Sequence, residues 1–352
     1  MNVSMIGLDI AKNVFQVHGE DASGRAVVQK RLSRGKMVDF FSKLPPCVVA
    51  LEACGTSHYW GRTLRALGHE VRLIPAGYVK PFVRRNKTDA RDAAAICVAA
   101  RQSDIRPVAV KSEEQQALRG VERSRDLLVK QRTQLTNHLR AMMAEFGVIA
   151  AQGVKGLAAL AGRLSSSDPG VPDILVEPLR ALARQIEALS REIDALEERI
   201  VAEARSNPQM RRLSTVPGVG YLTAHAIVAA IGDGRQFSSA RGFAAWAGLT
   251  PREQSSAGKR RHKGVSRQGE GRLRKLFALG AATVMRSARA KPERATAWRR
   301  GILARRPMKV AVLAQAAKTA RIAWAVLVSG EPYLPLAPTR QSHASRSLAT
   351  AP

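Results

Sequence analysis

Asp9, Glu52, Asp89 and Asp92 are four carboxylates standing at strand ends or a helix start, in a chain otherwise dominated by cations. Hard divalent cations such as Mg2+ take oxygen ligands, and two of them roughly 3.5–4 Å apart can activate a nucleophile and stabilise a leaving oxygen in phosphoryl transfer. Four convergent acids suit that task and read as a metal-dependent, nuclease-like site. Taken singly, each acid is ordinary: helix-start Asp is common capping chemistry, and strand-end Glu is often solvated. The set carries the reading.

The elements that must position these acids are visible in the pattern around them. Met5-Ile6-Gly7-Leu8-Asp9-Ile10 is an apolar run with one acid, and Val14-Phe15-Gln16-Val17 alternates just beyond Lys12-Asn13. This predicts a hairpin with a carboxylate on its first strand. Cys47-Val48-Val49-Ala50-Leu51 ends at Glu52, before the small-residue turn Ala53-Cys54-Gly55-Thr56 and a helical stretch from Ser57 to Leu67. Glu52 is thereby expected at a strand's carboxyl end, where open α/β sheets build their sites. Thr88 is a good N-cap, Asp89 takes the first helical position, and the three-residue spacing puts Asp92 on the same helix face. The helix dipole there helps to keep both acids ionised.

A second candidate lies in the most basic stretch. Arg252, Lys259, Arg260, Arg261, Lys263, Arg267, Arg272, Arg274 and Lys275 stand against Glu253 and Glu270, and Ser255-Ser256-Ala257-Gly258 is embedded among them. A serine there sits where a phosphate would be held, so its hydroxyl could attack phosphorus while the cations stabilise charge on the transferred group. On sequence alone such a loop is more often a flexible linker. Val216-Pro217-Gly218-Val219-Gly220, followed by the helical run Leu222 to Ile231, resembles a helix-hairpin-helix turn, whose backbone N–H groups can bind phosphate without reading sequence. A plain helix–helix turn is the alternative.

Charge points to a polyanionic partner. Lys and Arg number 57 against 28 Asp and Glu, a formal net charge of +29 over 352 residues, and phosphate backbones are the natural counter-charge. An anionic membrane fits less well, because no apolar run is expected to approach the ~20 residues that span a bilayer, and the N-terminus lacks a signal pattern. Cys47, Cys54 and Cys97 show no paired spacing and the seven His are scattered, which predicts core thiols in a reduced, cytoplasmic protein rather than a disulfide or zinc scaffold.

The organisation expected is α/β plus α. Residues 1–111 alternate strands and helices, including a strand at Glu70–Ile74, around a central sheet. Residues 112–205 are a helical linker and coiled coil. In it, Leu118, Val121, Leu128, Leu135, Leu139 and Met142 form one apolar stripe, interrupted by Arg125 and Arg132. A Gly/Ser/Pro-rich stretch, 147–178, reads as irregular or mobile. Leu179, Leu182, Ile186, Leu189, Ile193, Leu196 and Ile200 then form a heptad seam, packed within the chain or used for self-association. Residues 206–333 form a mainly helical domain, and 334–352 a disordered tail.

Gly7-Leu8-Asp9-Ile10-Ala11-Lys12, Leu51-Glu52-Ala53-Cys54-Gly55-Thr56, Asn86-Lys87-Thr88-Asp89-Ala90-Arg91-Asp92-Ala93, Val216-Pro217-Gly218-Val219-Gly220 and Phe243-Ala244-Ala245-Trp246-Ala247-Gly248-Leu249-Thr250-Pro251-Arg252 together resemble a known family. It is the DEDD transposases of bacterial insertion sequences, insertion sequence family one hundred and ten and its eleven-eleven subgroup. The resemblance runs nearly to Tyr333. It implies a RuvC-like N-terminal domain of RNase H type, a coiled-coil segment and a C-terminal transposase domain with a catalytic serine. It also implies that Asp9, Glu52, Asp89 and Asp92 are a Mg2+-binding tetrad. The serine implied lies shortly after Thr250-Pro251-Arg252, and spacing favours Ser256, with Ser255 beside it. Pro217, Gly218, Gly220, Arg252, Lys259, Arg260, Arg261 and Lys263 are the expected nucleic-acid contacts. The partners implied are element-end and target DNA, a noncoding RNA from the same element that pairs with donor and target, and further copies of the chain in a dimer or tetramer, working on the nucleoid. Alternatives are a Piv-like DNA invertase, a RuvC-like junction nuclease in which the metal site alone cuts, and a non-catalytic architectural protein.

Overall fold

The computed structural model describes residues 3–83, 88–255, 262–266 and 268–334. The chain divides into two compact units, Met1–Leu118 and Arg119–Pro352.

The first unit is a mixed sheet with helices. Its strands are β1 (Met5–Ile10), β2 (Val14–Glu20), β3 (Ala26–Ser33), β4 (Val48–Glu52) and β5 (Glu70–Ile74), and its helices are α1 (Met37–Ser42), α2 (Ser57–Ala66), α3 (Ala76–Val79) and α4 (Asp89–Arg101). The sheet order is β3-β2-β1-β4-β5. β1 pairs antiparallel with β2, and β2 with β3, whereas β4 runs parallel to both β1 and β5. The hairpin expected from the alternation is present, with Asp9 opposite Gln16.

The two faces of this sheet bury different sets. Ile6, Leu8, Phe15, Val17, Val49 and Leu51 pack with Met37, Phe41, Trp60 and Leu64 on one side. Met5, Ala50 and Ile74 pack with Ala95, Ile96, Cys97, Ala99 and Ala100 of α4 on the other. Side chains alternate along a strand, so Gly7 and Asp9 look out on the α4 side. α4 is rich in alanine and lies tight against β1 at Gly7.

The second unit contains most of α5 (Glu113–Ala144), then α6 (Val154–Leu164), α7 (Asp173–Ser206), α8 (Pro208–Leu213), α9 (Tyr221–Ile231), α10 (Ala240–Trp246), the short hairpin β6 (Pro251–Glu253) and β7 (His262–Val265), α11 (Gly271–Ala290), α12 (Ala297–Arg305) and α13 (Met308–Ser329). Three sequence expectations need correction, those on residues 147–178, on the α5 stripe and on the length of apolar runs, whereas the α7 seam keeps one of its two expected roles. The 147–178 stretch is not irregular throughout: α6 lies inside it with Leu160 and Leu164 buried, and α7 begins at Asp173. Leu157, Leu160 and Leu164 keep helical spacing, which the flanking Gly, Ser and Pro obscure. The heptad seam is at least half satisfied within the chain. Leu179, Ile186, Ile193 and Ile200 are buried, and Leu182, Leu189 and Leu196 are half-buried.

The apolar stripe of α5 is buried only at Leu139, with Met143 beside it, and the remaining buried residue of that helix is Glu122. Finally, α13 is a 22-residue helix apolar enough to cross a membrane by length and composition alone, with a mean hydropathy of 1.3. Within this unit it packs on α10 and α11, burying Ala311, Gln315, Ala316, Thr319, Ala320 and Ala323, small or hydrogen-bonded residues that allow close helix contact. Lys318 and Arg321 interrupt it.

Candidate active site

Three of the four acids meet. Carboxylate oxygens of Asp9, Asp89 and Asp92 lie within 4.8 Å of one another, with Asp9 and Asp92 half-buried and Asp89 exposed. β1 contributes Asp9 near its carboxyl end, one residue before the strand stops. α4 contributes the other two from its first turn, and Thr88 caps that helix, its hydroxyl accepting from Arg91 N at 3.4 Å. The dipole at a helix start favours negative charge. The donor set is all carboxylate oxygen, with no sulfur or imidazole in it, which fits a hard divalent cation.

Glu52 is outside that group of three but beside it. Leu8 pairs with Leu51 across the parallel strands, so one step further along the register sets Glu52 next to Asp9 on the α4 side of the sheet. The Cys54 thiol, on the turn after β4, is raised above its ordinary value, first by local desolvation and then by the negative charges of Glu52 and Asp9. Both acids therefore act on the same small volume. Cys54 is exposed, which corrects the expectation of three core thiols; Cys47 and Cys97 are buried.

Part of the serine segment lies among the described residues. Ser256, Lys259, Arg260 and Arg261 lie outside the described residues. Ser255 donates its hydroxyl to Glu253 Oε1 at 2.8 Å, Arg252 is exposed on β6, and Lys263 falls on β7. Two of the cations counted with this loop have structural work. Arg272 reaches Asp126, the Glu122 backbone oxygen and the Glu122 carboxylate, and Arg274 donates to the backbone oxygen of Gln268. Pro217 and Gly218 form a turn between α8 and α9, with Gly218 at φ +88 and Gly220 as the residue before α9.

Sequence reasoning missed a buried charged cluster in the second unit. Glu122 of α5 and His225 of α9 are both about 1% exposed and 2.7 Å apart, His225 Nδ1 to Glu122 Oε1, and Arg272 at the start of α11 completes the set. Arg125, one of the charges interrupting the α5 stripe, binds Glu197 of α7. The available signal was polarity out of place: Glu122 borders an apolar stripe, and His225 is the one ionisable residue in the body of a helix made mostly of Ala, Ile, Leu and Val.

A mixed five-stranded sheet with acids at the ends of β1 and β4 and on the first turn of α4 beside them is an arrangement that suits an α/β enzyme using a divalent metal. The comparisons with known proteins narrow the class. The model of the IS116/IS110/IS902 transposase family matches residues 210–298, and a second family model, of IS110-type DEDD transposases and described simply as transposase, matches residues 6–147. A protein of Pseudomonas aeruginosa described as "Probable family 20 transposase" is 45% identical over 95% of this chain and 100% of its own length. The transposase for insertion sequence element IS1328 of Yersinia enterocolitica is 36% identical, over 94% of this chain and 98% of its own. The transposase for IS1111A of Coxiella burnetii is also 36% identical, over 94% of this chain and 92% of its own. The chain belongs to the IS116/IS110/IS902 family of insertion-sequence transposases. It is a DNA transposase, a recombinase by reaction, and DNA is its partner. The family's DEDD domain is RuvC-like and uses a divalent metal, and the five-stranded sheet and acidic cluster fit both.

Proposed function

We propose that this transposase cuts and rejoins DNA with a two-part centre, an acidic tetrad of Asp9, Glu52, Asp89 and Asp92 that holds Mg2+, and Ser256 as the nucleophile. The observation that carries the metal half is the approach of the Asp9, Asp89 and Asp92 oxygens to within 4.8 Å. Three carboxylates that close repel one another strongly unless a cation or protons intervene. Bound Mg2+ would supply positive charge to the phosphoryl oxygens and the leaving oxygen.

The serine half rests on the family resemblance and on the density of cations around Ser256. Its hydroxyl oxygen bonds to phosphorus as the bond from phosphorus to one deoxyribose oxygen breaks, and the serine proton ends on that leaving oxygen. The linkage stays a phosphodiester, so attack by the hydroxyl of a second strand reverses the step and rejoins DNA. Arg252, Lys259, Arg260, Arg261 and Lys263 hold the flanking phosphates, and the turn at Pro217, Gly218 and Gly220 holds another.

Target choice is delegated to a noncoding RNA encoded by the element, which pairs with donor and target while the protein reads backbone shape. The active assembly is a dimer or tetramer on the bacterial nucleoid, with the acids of one chain facing the serine of another. The half-buried outer positions of the seam, Leu182, Leu189 and Leu196, support association between copies.

The experiment is strand transfer by purified protein on its element-end DNA with the flanking transcript, in Mg2+ or EDTA. Products that need Mg2+ and vanish in both Asp9→Asn and Ser256→Ala are expected. Products that persist in Ser256→Ala and Ser255→Ala leave a nuclease whose metal site alone cuts.

A further inference from the structure

One concavity of the second unit extends the phosphate contact proposed above for the turn at Pro217, Gly218 and Gly220, all three of which line it. It is a cavity of about 660 Å3 between the Pro217-Gly218 turn and the outer half of α11. Val216, Val219 and Val284 form an apolar floor, and the hydroxyl-bearing Thr283 and Ser287 line the α11 wall. Lys291 and Arg294, from the segment joining α11 to α12, and Arg299, from the first turn of α12, close the remaining side.

Three features of this wall decide what it can hold. Among the described residues no carboxylate lines it, so its lining carries net positive charge towards whatever enters. Lys291 and Arg294 are exposed, whereas Arg299 is half-buried and fixed by its Nε donating to Gln315 Oε1 at 3.1 Å. One guanidinium is thus held in place and two cations can close on a guest. Among the described residues no aromatic ring lines it either, and single-stranded nucleic acid is gripped through bases stacked on such rings.

The turn is rigidly seated. A β-carbon on Gly280 would stand 1.9 Å from the Gly218 carbonyl oxygen, so the turn backbone lies directly on α11. Tyr333 N donates to Thr215 Oγ1 at 2.8 Å, tying the chain after α13 to the rim.

We propose that this cavity is a clamp for the phosphate backbone of duplex DNA, with Lys291, Arg294 and Arg299 as its cations and Ser287 and Thr283 as neutral donors. Without aromatic rings or a carboxylate, it grips backbone and reads no bases, so its contribution to binding is the same for every DNA sequence. It rests only on DNA being the partner, and is independent of the metal and serine chemistry.

The test is the salt dependence of binding by the full chain to a duplex of arbitrary sequence, without metal so that no cutting occurs. Each lost phosphate contact lowers the log–log salt slope by about 0.9 for duplex DNA, so Lys291→Gln with Arg294→Gln should lower it by roughly two. Ser287→Asp, which puts a carboxylate on the cavity wall, should weaken binding further without removing a cation, and Lys155→Gln on α6 should leave the slope nearly unchanged. The proposal is overturned if the double variant keeps the wild-type slope, if Lys155→Gln lowers it as much per charge, or if only binding of a structured RNA is weakened. Unchanged metal-dependent cutting of DNA at saturating protein would show that a failure here leaves the catalytic reading untouched.

Discussion

Gly7 of β1 and Ala93 of α4 approach so closely that a β-carbon on Gly7 would stand 2.0 Å from the Ala93 carbonyl oxygen. Ala93 directly follows Asp92, and Gly7 lies two residues before Asp9 on the same face of the strand. The absent side chain is what lets α4 set Asp89 and Asp92 down on Asp9.

Gly7→Ala must therefore push the start of α4 outward. Backbone opposes the new methyl, so overpacking should cost about 1–3 kcal/mol and separate the acids. Urea denaturation is expected to show that loss, with strand transfer falling at least tenfold at a temperature where the variant is still folded. Full activity in folded Gly7→Ala would mean that the position of α4 does not matter to the site.

The three clustered acids repel one another when no cation is bound. Asp92→Asn should raise the melting temperature in EDTA and remove the rise that Mg2+ gives the wild type, since a ligand stabilises only the state that binds it. Glu52→Gln, just outside the group of three, should retain part of the Mg2+ effect. Differential scanning fluorimetry across a Mg2+ titration reads both.

Glu122 and His225 are buried together, with Arg272 as a third partner. Breaking such a set from one side leaves buried charge without compensation, so Glu122→Ala should cost on the order of 3–5 kcal/mol. Calorimetry should place the loss in the melting of the second unit, and an Asp92→Asn chain, altered in the first, should not reproduce it.

Burial pushes the Cys97 thiol up to about 12, ahead of the smaller effect of Glu20. A thiol raised in the folded state favours folding below its ordinary value of 9.0, and the advantage is lost as pH climbs from there towards 12. Stability of the wild type should fall over that window, and Cys97→Ala should flatten the fall. In the folded protein, iodoacetamide should label exposed Cys54 and leave Cys47 and Cys97 unmodified until the chain unfolds.

The first unit was legible because its signals are local. Strand alternation around Leu8 and Leu51 and the Thr88 cap each depend on neighbours in sequence, and they located all four acids. What they could not tell was how α4 crosses β1, since Gly7 meeting Ala93 is a contact between distant segments. The second unit was less legible for the same reason. α6 hides its leucines among glycines, Glu122 looks like a solvated helix residue until His225 is brought beside it, and Lys291, Arg294 and Arg299 become a set only when the start of α12 and the connection before it meet the Pro217 turn. The α7 seam was read correctly as a period, but a period does not name its partner.

The most direct measurement is peptide mapping of protein covalently bound to element-end DNA after reaction in Mg2+. A phosphodiester linkage at Ser256, absent in EDTA and absent from Asp9→Asn, is the expected result. Metal-dependent strand breaks with no linkage to any serine would contradict the two-part centre.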